Sequence, residues 1–308
     1  MRKLRYHLVD VFTDRQFGGN PLAVFTDGEG LSTETMQAIA KEMNLSETTF
    51  VLTPQDPAHN FRVRIFTPGQ ELPMAGHPTV GTTYVLAREG MIETSHRANA
   101  GGATTIRLEE GVGTIPVEIG WRDGAPAFIE MSQPLPTFGA RIEDVDAIAE
   151  LISLDPSQID RRFPVEVVSC GVPFLFVPLV NLEAARRARP RAELLEKVLS
   201  GLPQEIFVFT TETEFDGSGV HSRMFAPGLG VVEDPATGGA SGPLGCYLVR
   251  HGVVASDSQL EITSEQGVEM GRPSFIRIRV THEGERITRV RVGGSCRYVG
   301  GGRLELED

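Results

Sequence analysis

Arg64-Ile65-Phe66-Thr67-Pro68-Gly69 and, one residue later, Glu71-Leu72-Pro73-Met74-Ala75-Gly76 recur in altered form further along this 308-residue chain. The second copy begins as Arg223-Met224-Phe225-Ala226-Pro227-Gly228, an offset of 159. After a three-residue insertion it continues as Glu233-Asp234-Pro235-Ala236-Thr237-Gly238, an offset of 162. That second offset still holds where Leu86-Ala87-Arg88-Glu89-Gly90 is echoed by Leu248-Val249-Arg250-His251-Gly252. One repeat this long is not a solenoid, whose periods are about 20–50 residues. It predicts two similar lobes, each with a strand, a Pro-Gly turn, a Glu-x-Pro loop and a glycine opening an apolar helix.

Outward from the first copy, Leu4 to Phe12 alternates as a half-buried strand does, and Phe17-Gly18-Gly19-Asn20-Pro21 is a turn before a return strand at Leu22–Phe25. Ser32 caps a helix running to Met43, with Met36, Ile39, Ala40 and Met43 at helical spacing. Strands are expected at Phe50–Leu52 and Phe61–Phe66, and a short apolar helix from Thr79 to Arg88. The second half follows the same order. A polar, helical stretch at Ile142–Ile152 leads to strands at Val165–Ser169 and Phe174–Leu179, a helix at Glu183–Leu199 and a strand at Ile206–Thr210.

The net charge of -12, from 41 acidic and 29 basic residues, argues against a nucleic-acid partner, which needs a basic footprint. The densest basic run, Arg186-Arg187-Ala188-Arg189-Pro190-Arg191, has acidic neighbours and reads as a solvated helix face. No signal peptide and no stretch of 18 apolar residues is present, so neither secretion nor a membrane span is expected. Cys170, Cys246 and Cys296 are odd in number and distant in sequence, forming neither a disulfide framework nor a zinc spacing. A cytoplasmic location fits them.

A glycine-opened helix offers free backbone N–H groups and the positive end of its dipole. Two such starts, Ala75-Gly76-His77-Pro78-Thr79 and Thr237-Gly238-Gly239-Ala240-Ser241, facing each other across a cleft would hold an anion such as a substrate carboxylate. Either alone reads as a tight helix start; the pair points to function. His77 lies between Gly76 and Pro78, where core packing gives no reason for a histidine. Asp234, between Glu233 and Pro235, is by itself as consistent with a surface loop. Glu47, in Asn44-Leu45-Ser46-Glu47-Thr48, stands at a strand entrance, where partial burial would raise its carboxyl pKa from about 4.3 toward neutrality and suit it to acid–base work. By spacing alone the reading as an exposed loop glutamate prevails.

A Walker loop is absent, and Gly228-Leu229-Gly230 and Gly111-Val112-Gly113 are incomplete as dinucleotide fingerprints. The histidines lack metal-ligand spacing, and there is no nucleophile elbow. Proton transfer without cofactor or metal is the chemistry that remains.

At these residues the sequence closely resembles the PhzF-like isomerase family, which shares the diaminopimelate-epimerase fold. The marks are Val9-Asp10-Val11-Phe12, Phe17-Gly18-Gly19-Asn20-Pro21-Leu22-Ala23-Val24, Asn44-Leu45-Ser46-Glu47-Thr48, Glu71 to Thr79 and Glu233 to Gly238. The resemblance implies an α+β fold of two pseudo-symmetric lobes, each a curved, mostly antiparallel sheet wrapped around a central helix. Residues 1–125 with the returning 297–308 would form one lobe and 126–296 the other, with the active site between them. It also implies a homodimer that uses no cofactor and acts on a small carboxylate. Glu47 would take a proton from one substrate carbon and return it to another, with His77 and Asp234 assisting by hydrogen bonding. The carboxylate would sit on the amides around Gly76 and on the Gly238-Gly239-Ala240-Ser241 turn.

Two departures bear on chemistry. Gly239 stands where the phenazine enzyme has a serine, with Ser241 two residues later, so one polar substrate contact is missing or supplied differently. Two-thiol racemases of this fold carry a cysteine before each helix-opening glycine. Those neighbourhoods here hold Ala75 and Asp234, which excludes a thiolate base. The alternatives to an isomerase are an epimerase or lyase on an amino-acid-like substrate, using Glu47 and Asp234, and a catalytically inactive carboxylate-binding protein.

Overall fold

The structure, a computed structural model, describes residues 1–92 and 102–306. The chain divides into two compact units, Met1–Ser132 with Gly293–Asp308, and Gln133–Val292. The expected lobes exchanged at 125/126 and 296/297; the observed exchanges fall seven residues later and four residues earlier, inside continuous strands.

The first unit contains β1 (Arg2–Val11), β2 (Asn20–Phe25), α1 (Thr33–Met43), β3 (Glu47–Leu52), β4 (Phe61–Phe66), β5 (Glu71–Leu72), α2 (Gly76–Arg88), β6 (Ala103–Glu110), β7 (Gly113–Arg122) and β8 (Ala125–Gln133). The second contains β9 (Thr137–Arg141), α3 (Val145–Leu151), β10 (Glu166–Ser169), β11 (Pro173–Pro178), α4 (Leu182–Arg187), α5 (Leu195–Val198), β12 (Ile206–Thr210), β13 (Val220–Ala226), β14 (Val231–Asp234), α6 (Gly238–Arg250), β15 (Gln259–Gln266), β16 (Ser274–Glu283) and β17 (Arg286–Gly294). A last strand, β18 (Cys296–Leu306), returns to the first unit and pairs antiparallel with β1. Residues 307 and 308 of that expected return lie outside the described residues.

Both sheets follow one pairing rule. In the first, β1–β2 is antiparallel, β2–β3 parallel, β3–β4 antiparallel, β4–β6 parallel and β6–β7 antiparallel. In the second, β10–β11, β11–β12, β12–β13, β13–β15 and β15–β16 repeat that order of directions. The repeated Arg and Glu make the same contact in each copy. Arg64 grips Glu71 through Nε (2.7 Å) and Nη2 (2.6 Å), and Arg223 grips Glu233 through Nε (2.8 Å) and Nη2 (2.9 Å). Planar guanidinium against planar carboxylate clips a short strand to its long neighbour.

Each unit places one apolar helix inside its sheet. All residues of α2 from Gly76 to Thr83 are buried, as are most of α6, so neither helix has a polar face. Gly81 is required for the close approach: a Cβ there would lie 2.6 Å from Val11 Cγ2 and 2.7 Å from Leu22 Cδ2. The amphipathic α1 packs on other residues, with Met36, Ile39 and Ala40 against Phe25, Phe50 and Phe66. Ser32 accepts from Thr35 N–H and caps it, and Asn44 ends it in the left-handed region (φ 51°).

Two expectations are corrected. The helix foreseen over Glu183–Leu199 is broken into α4 and α5, because Pro190 lacks an N–H and disfavours helical geometry at Arg189. Arg189 and Arg191 donate their backbone N–H groups to Ile152 and Leu151 instead. The basic run is therefore not one helix face. Arg186 pairs with Glu214, and Arg191 with Glu150 and Glu193. The cysteines distant in sequence are not all distant in space, since Cys170 and Cys246 meet as thiols with sulfurs 3.9 Å apart in the second unit's core. Among the described residues no helix is long and apolar enough to cross a membrane.

Candidate active site

Glu47 is the first residue of β3, and parallel pairing sets it opposite Leu22 of β2. His77 is the second residue of α2, and a hydrogen bond between Thr82 and Thr49 hydroxyls (2.8 Å) ties that helix to β3. These attachments bring His77 Nε2 to 3.3 Å from Glu47 Oε2, with the side chains 3% and 14% exposed. Burial pushes the His77 pKa down to about 3, so the contact joins a neutral imidazole to the carboxyl group and is not an ion pair.

Asn20, the first residue of β2 and fully buried, decides which nitrogen of that ring carries the proton. Its Nδ2 is 3.2 Å from His77 Nδ1. An amide nitrogen only donates, so Nδ1 accepts and the single ring proton sits on Nε2, on the side of Glu47. The Nε2–H has no hydrogen-bond partner among the described residues. Asn20 was read from the sequence only as part of a turn. The signal that could have found it is its place beside two glycines at the start of a strand flanking Glu47.

Replacing Asn20 by Ala is expected to lower turnover by about tenfold, as loss of one hydrogen bond of about 1–1.5 kcal/mol would. In nitrogen NMR the wild-type His77 should remain the neutral Nε2–H form from pH 5 to 8, whereas the variant should show mixed tautomers. A wild-type His77 that titrates near 6.5 would contradict this assignment.

In the second unit Asp234 ends β14 and is 3% exposed, a buried group and not a surface loop acid. Its Oδ2 accepts from the Thr237 hydroxyl at 2.6 Å. Gln266 at the end of β15 completes the arrangement. Its Nε2 donates to the Asp234 carbonyl oxygen (2.8 Å) and Thr237 Oγ1 (2.9 Å), and its Oε1 accepts from Thr237 N–H (3.0 Å). Gly238, Gly239, Ala240 and Ser241 form the buried first turn of α6. The N–H groups of Ala240 and Ser241 both reach the Thr237 carbonyl oxygen at 3.1 Å, which leaves Gly238 and Gly239 as the amides without an intrahelical partner. Ser241 Oγ also donates to that carbonyl oxygen (2.9 Å), which commits its hydroxyl proton to the helix backbone. Thr237 and Gln266 were not singled out by sequence reasoning.

The structure thus brings Glu47, Gly76 and His77 together in one unit, and Asp234 with the Gly238–Ser241 turn in the other. The duplicated scaffold carries partly different chemistry at matching stations. Strand pairing sets Thr48 opposite Phe66 and Ile206 opposite Phe225, so Glu47 matches Glu205, whereas at the offset of 162 His77 corresponds to Gly239 and Asp234 to Leu72. None of the three buried cysteines belongs to either cluster. Among the described residues no group of three or more His, Cys, Asp and Glu side chains is placed to hold a metal ion.

These clusters sit on a duplicated α+β scaffold, and comparison with known proteins places the chain. Residues 9–302 match the profile of the PhzC-PhzF family, described as phenazine biosynthesis-like protein. An uncharacterised isomerase of Mesorhizobium japonicum is 40% identical over 99% of both chains. The trans-2,3-dihydro-3-hydroxyanthranilate isomerase of Pseudomonas aeruginosa is 39% identical over 98% of this chain and 99% of its own. A solved phenazine biosynthesis protein of the PhzF family from Bacillus anthracis superposes with a TM-score of 0.88 at 30% identity, covering 99% and 100% of the two chains. A hydroxyproline epimerase from Agrobacterium vitis shares the fold at a TM-score of 0.66 and 14% identity, covering 100% of this chain and 94% of its own. The chain belongs to the PhzF-like family and is an isomerase.

Proposed function

We propose that this isomerase moves a proton within a small carboxylic acid without a metal or organic cofactor, with Glu47 as the group that removes and returns it. The observation that carries this reading is the buried His77 Nε2–H, unpartnered among the described residues and 3.3 Å from Glu47 Oε2. A donor held in that state costs about 1–3 kcal/mol unless a ligand accepts its hydrogen bond. A substrate oxygen taking that bond would lie within reach of the Glu47 carboxyl group, and charge developing on it as a proton leaves carbon would be stabilised by the N–H. A neutral imidazole donates here without competing for the proton that Glu47 carries.

Asp234 and the Gly238 and Gly239 amides are assigned to substrate binding. The trans-2,3-dihydro-3-hydroxyanthranilate of the Pseudomonas relatives is the first compound to test, because it joins a carboxylate to a ring whose double bonds can shift. Incubated with this protein, it should be consumed with a shifted double bond in the proton spectrum, at a rate unchanged by prior dialysis against a chelator. Loss of activity on dialysis would refute cofactor independence. Exchange or inversion at the stereocentre of an amino acid, with the cyclic compound untouched, would favour an epimerase instead.

A further inference from the structure

Glu110, the last residue of β6, is 6% exposed and takes no part in the chemistry above. Its Oε1 is 2.6 Å from Thr79 Oγ1, which is itself 2.7 Å from the Ala75 carbonyl oxygen. The Thr79 hydroxyl has one hydrogen, and a carbonyl oxygen has none to give. Both short contacts are hydrogen bonds only if Thr79 donates to Ala75 and Glu110 donates to Thr79. Glu110 Oε2 has no hydrogen-bond partner among the described residues, a costly state for a buried carboxylate and a tolerable one for a carboxylic acid.

The other unit supplies an independent comparison. Pairing of β4 with β6 sets Arg62 opposite Glu109, and pairing of β13 with β15 sets His221 opposite Glu265. Glu109-Glu110-Gly111 and Glu265-Gln266-Gly267 therefore occupy one station. Glu109 accepts from the N–H groups of Gln55 and Asp56, as Glu265 does from Glu214 and Phe215. Gly111 and Gly267 crowd the backbone of Pro73 and Pro235 respectively. At the place of Glu110 the second unit has Gln266, a neutral side chain that holds Thr237 at the start of α6.

We infer that Glu110 is a positioning residue kept protonated in the folded enzyme. Its O–H donates to Thr79, Thr79 donates to Ala75, and the two bonds fix the opening turn of α2, which carries Gly76 and His77. Charged and titratable groups on the neighbouring elements do not neutralise it. Arg62 and Arg64 of β4 are engaged by Glu109 and Glu71, His77 of α2 is neutral, and Glu118 of β7 pairs in register with Thr105, far along β6. Among the described residues Glu110 has no ion pair. Burial is what raises its pKa, to about 8.

The linkage has a definite sign. With a folded pKa of about 8 and an ordinary carboxyl value of 4.5 in the unfolded chain, stability from the bound proton is full below 4.5 and lost as pH rises through about 8. The test compares the full-length protein with Glu110→Gln, which keeps a donor for Thr79 and cannot ionise. The thermal midpoint of the variant minus that of the wild type should rise between pH 5 and 9. Other titrating groups are common to both proteins and cancel. Infrared spectra in D₂O at pH 6 should show a carboxylic-acid carbonyl band in the wild type that is absent from the variant. Should the variant not fold, the wild-type band alone decides, since it must fade as pH passes about 8. A pH-independent midpoint difference, or no such band at pH 6, overturns the inference.

Discussion

Glu47→Gln is expected to lower turnover by about 10²–10⁴-fold, the usual contribution of a positioned acid–base group, while substrate affinity changes little. The amide keeps the shape of the carboxyl group at the start of β3, where the side chain is 14% exposed, so packing and thermal midpoint should hold. His77 stays neutral under burial and keeps its bond from Asn20, so its Nε2–H persists in the variant. A fall of kcat with KM unchanged is the signature of an interaction made only in the transition state. A fall of less than tenfold would show that Glu47 is not the base.

The second large effect concerns stability and follows from the duplicated clip. Arg223→Met should destabilise the protein by about 3–5 kcal/mol, as removal of one partner from a buried ion pair does. Arg223 is 2% exposed, and beyond Glu233 its Nη1 donates to the carbonyl oxygens of Ala185 and Ala188 at 2.8 Å, so the substitution strands a carboxylate and two backbone acceptors. Arg64→Met at the matching position should cost only about 0–1 kcal/mol. There the partners are 16% and 39% exposed, and water can replace what is lost. Chemical denaturation of the two variants gives the comparison. Equal losses would mean that the clip acts through its geometry alone and burial does not set its worth.

The duplication was legible because the residues that survive in both copies are those with a contact to keep. Arg64 and Glu71, like Arg223 and Glu233, must face each other across two strands, and Gly76 and Gly238 each open a buried helix. The same constraint operates on Glu109-Glu110-Gly111 and Glu265-Gln266-Gly267, yet those escaped notice. They lie beyond loops of unequal length, at an offset of 156, and only strand pairing aligns them. Glu47 was placed correctly at a strand entrance because a helix cap at Asn44 and an apolar Phe50-Val51-Leu52 bracket it. What spacing does not reveal is tertiary partnership. Asn20 and His77 are 57 residues apart, and Cys170 and Cys246 are 76 apart. The break at Pro190 was visible in the sequence, but the apolar and charged periodicity across it outweighed a single residue. Tertiary bonds from Arg189 and Arg191 to the end of α3 settle the matter against one helix.

The most direct test of proton transfer through Glu47 is turnover in D₂O, with deuterium in the product located by NMR for wild type and Glu47→Gln. The account predicts enzyme-dependent movement or exchange of one C–H in the wild type, and its loss in the variant in step with turnover. Equal reaction and equal labelling in both proteins would contradict it, because the proton would then be carried by another group.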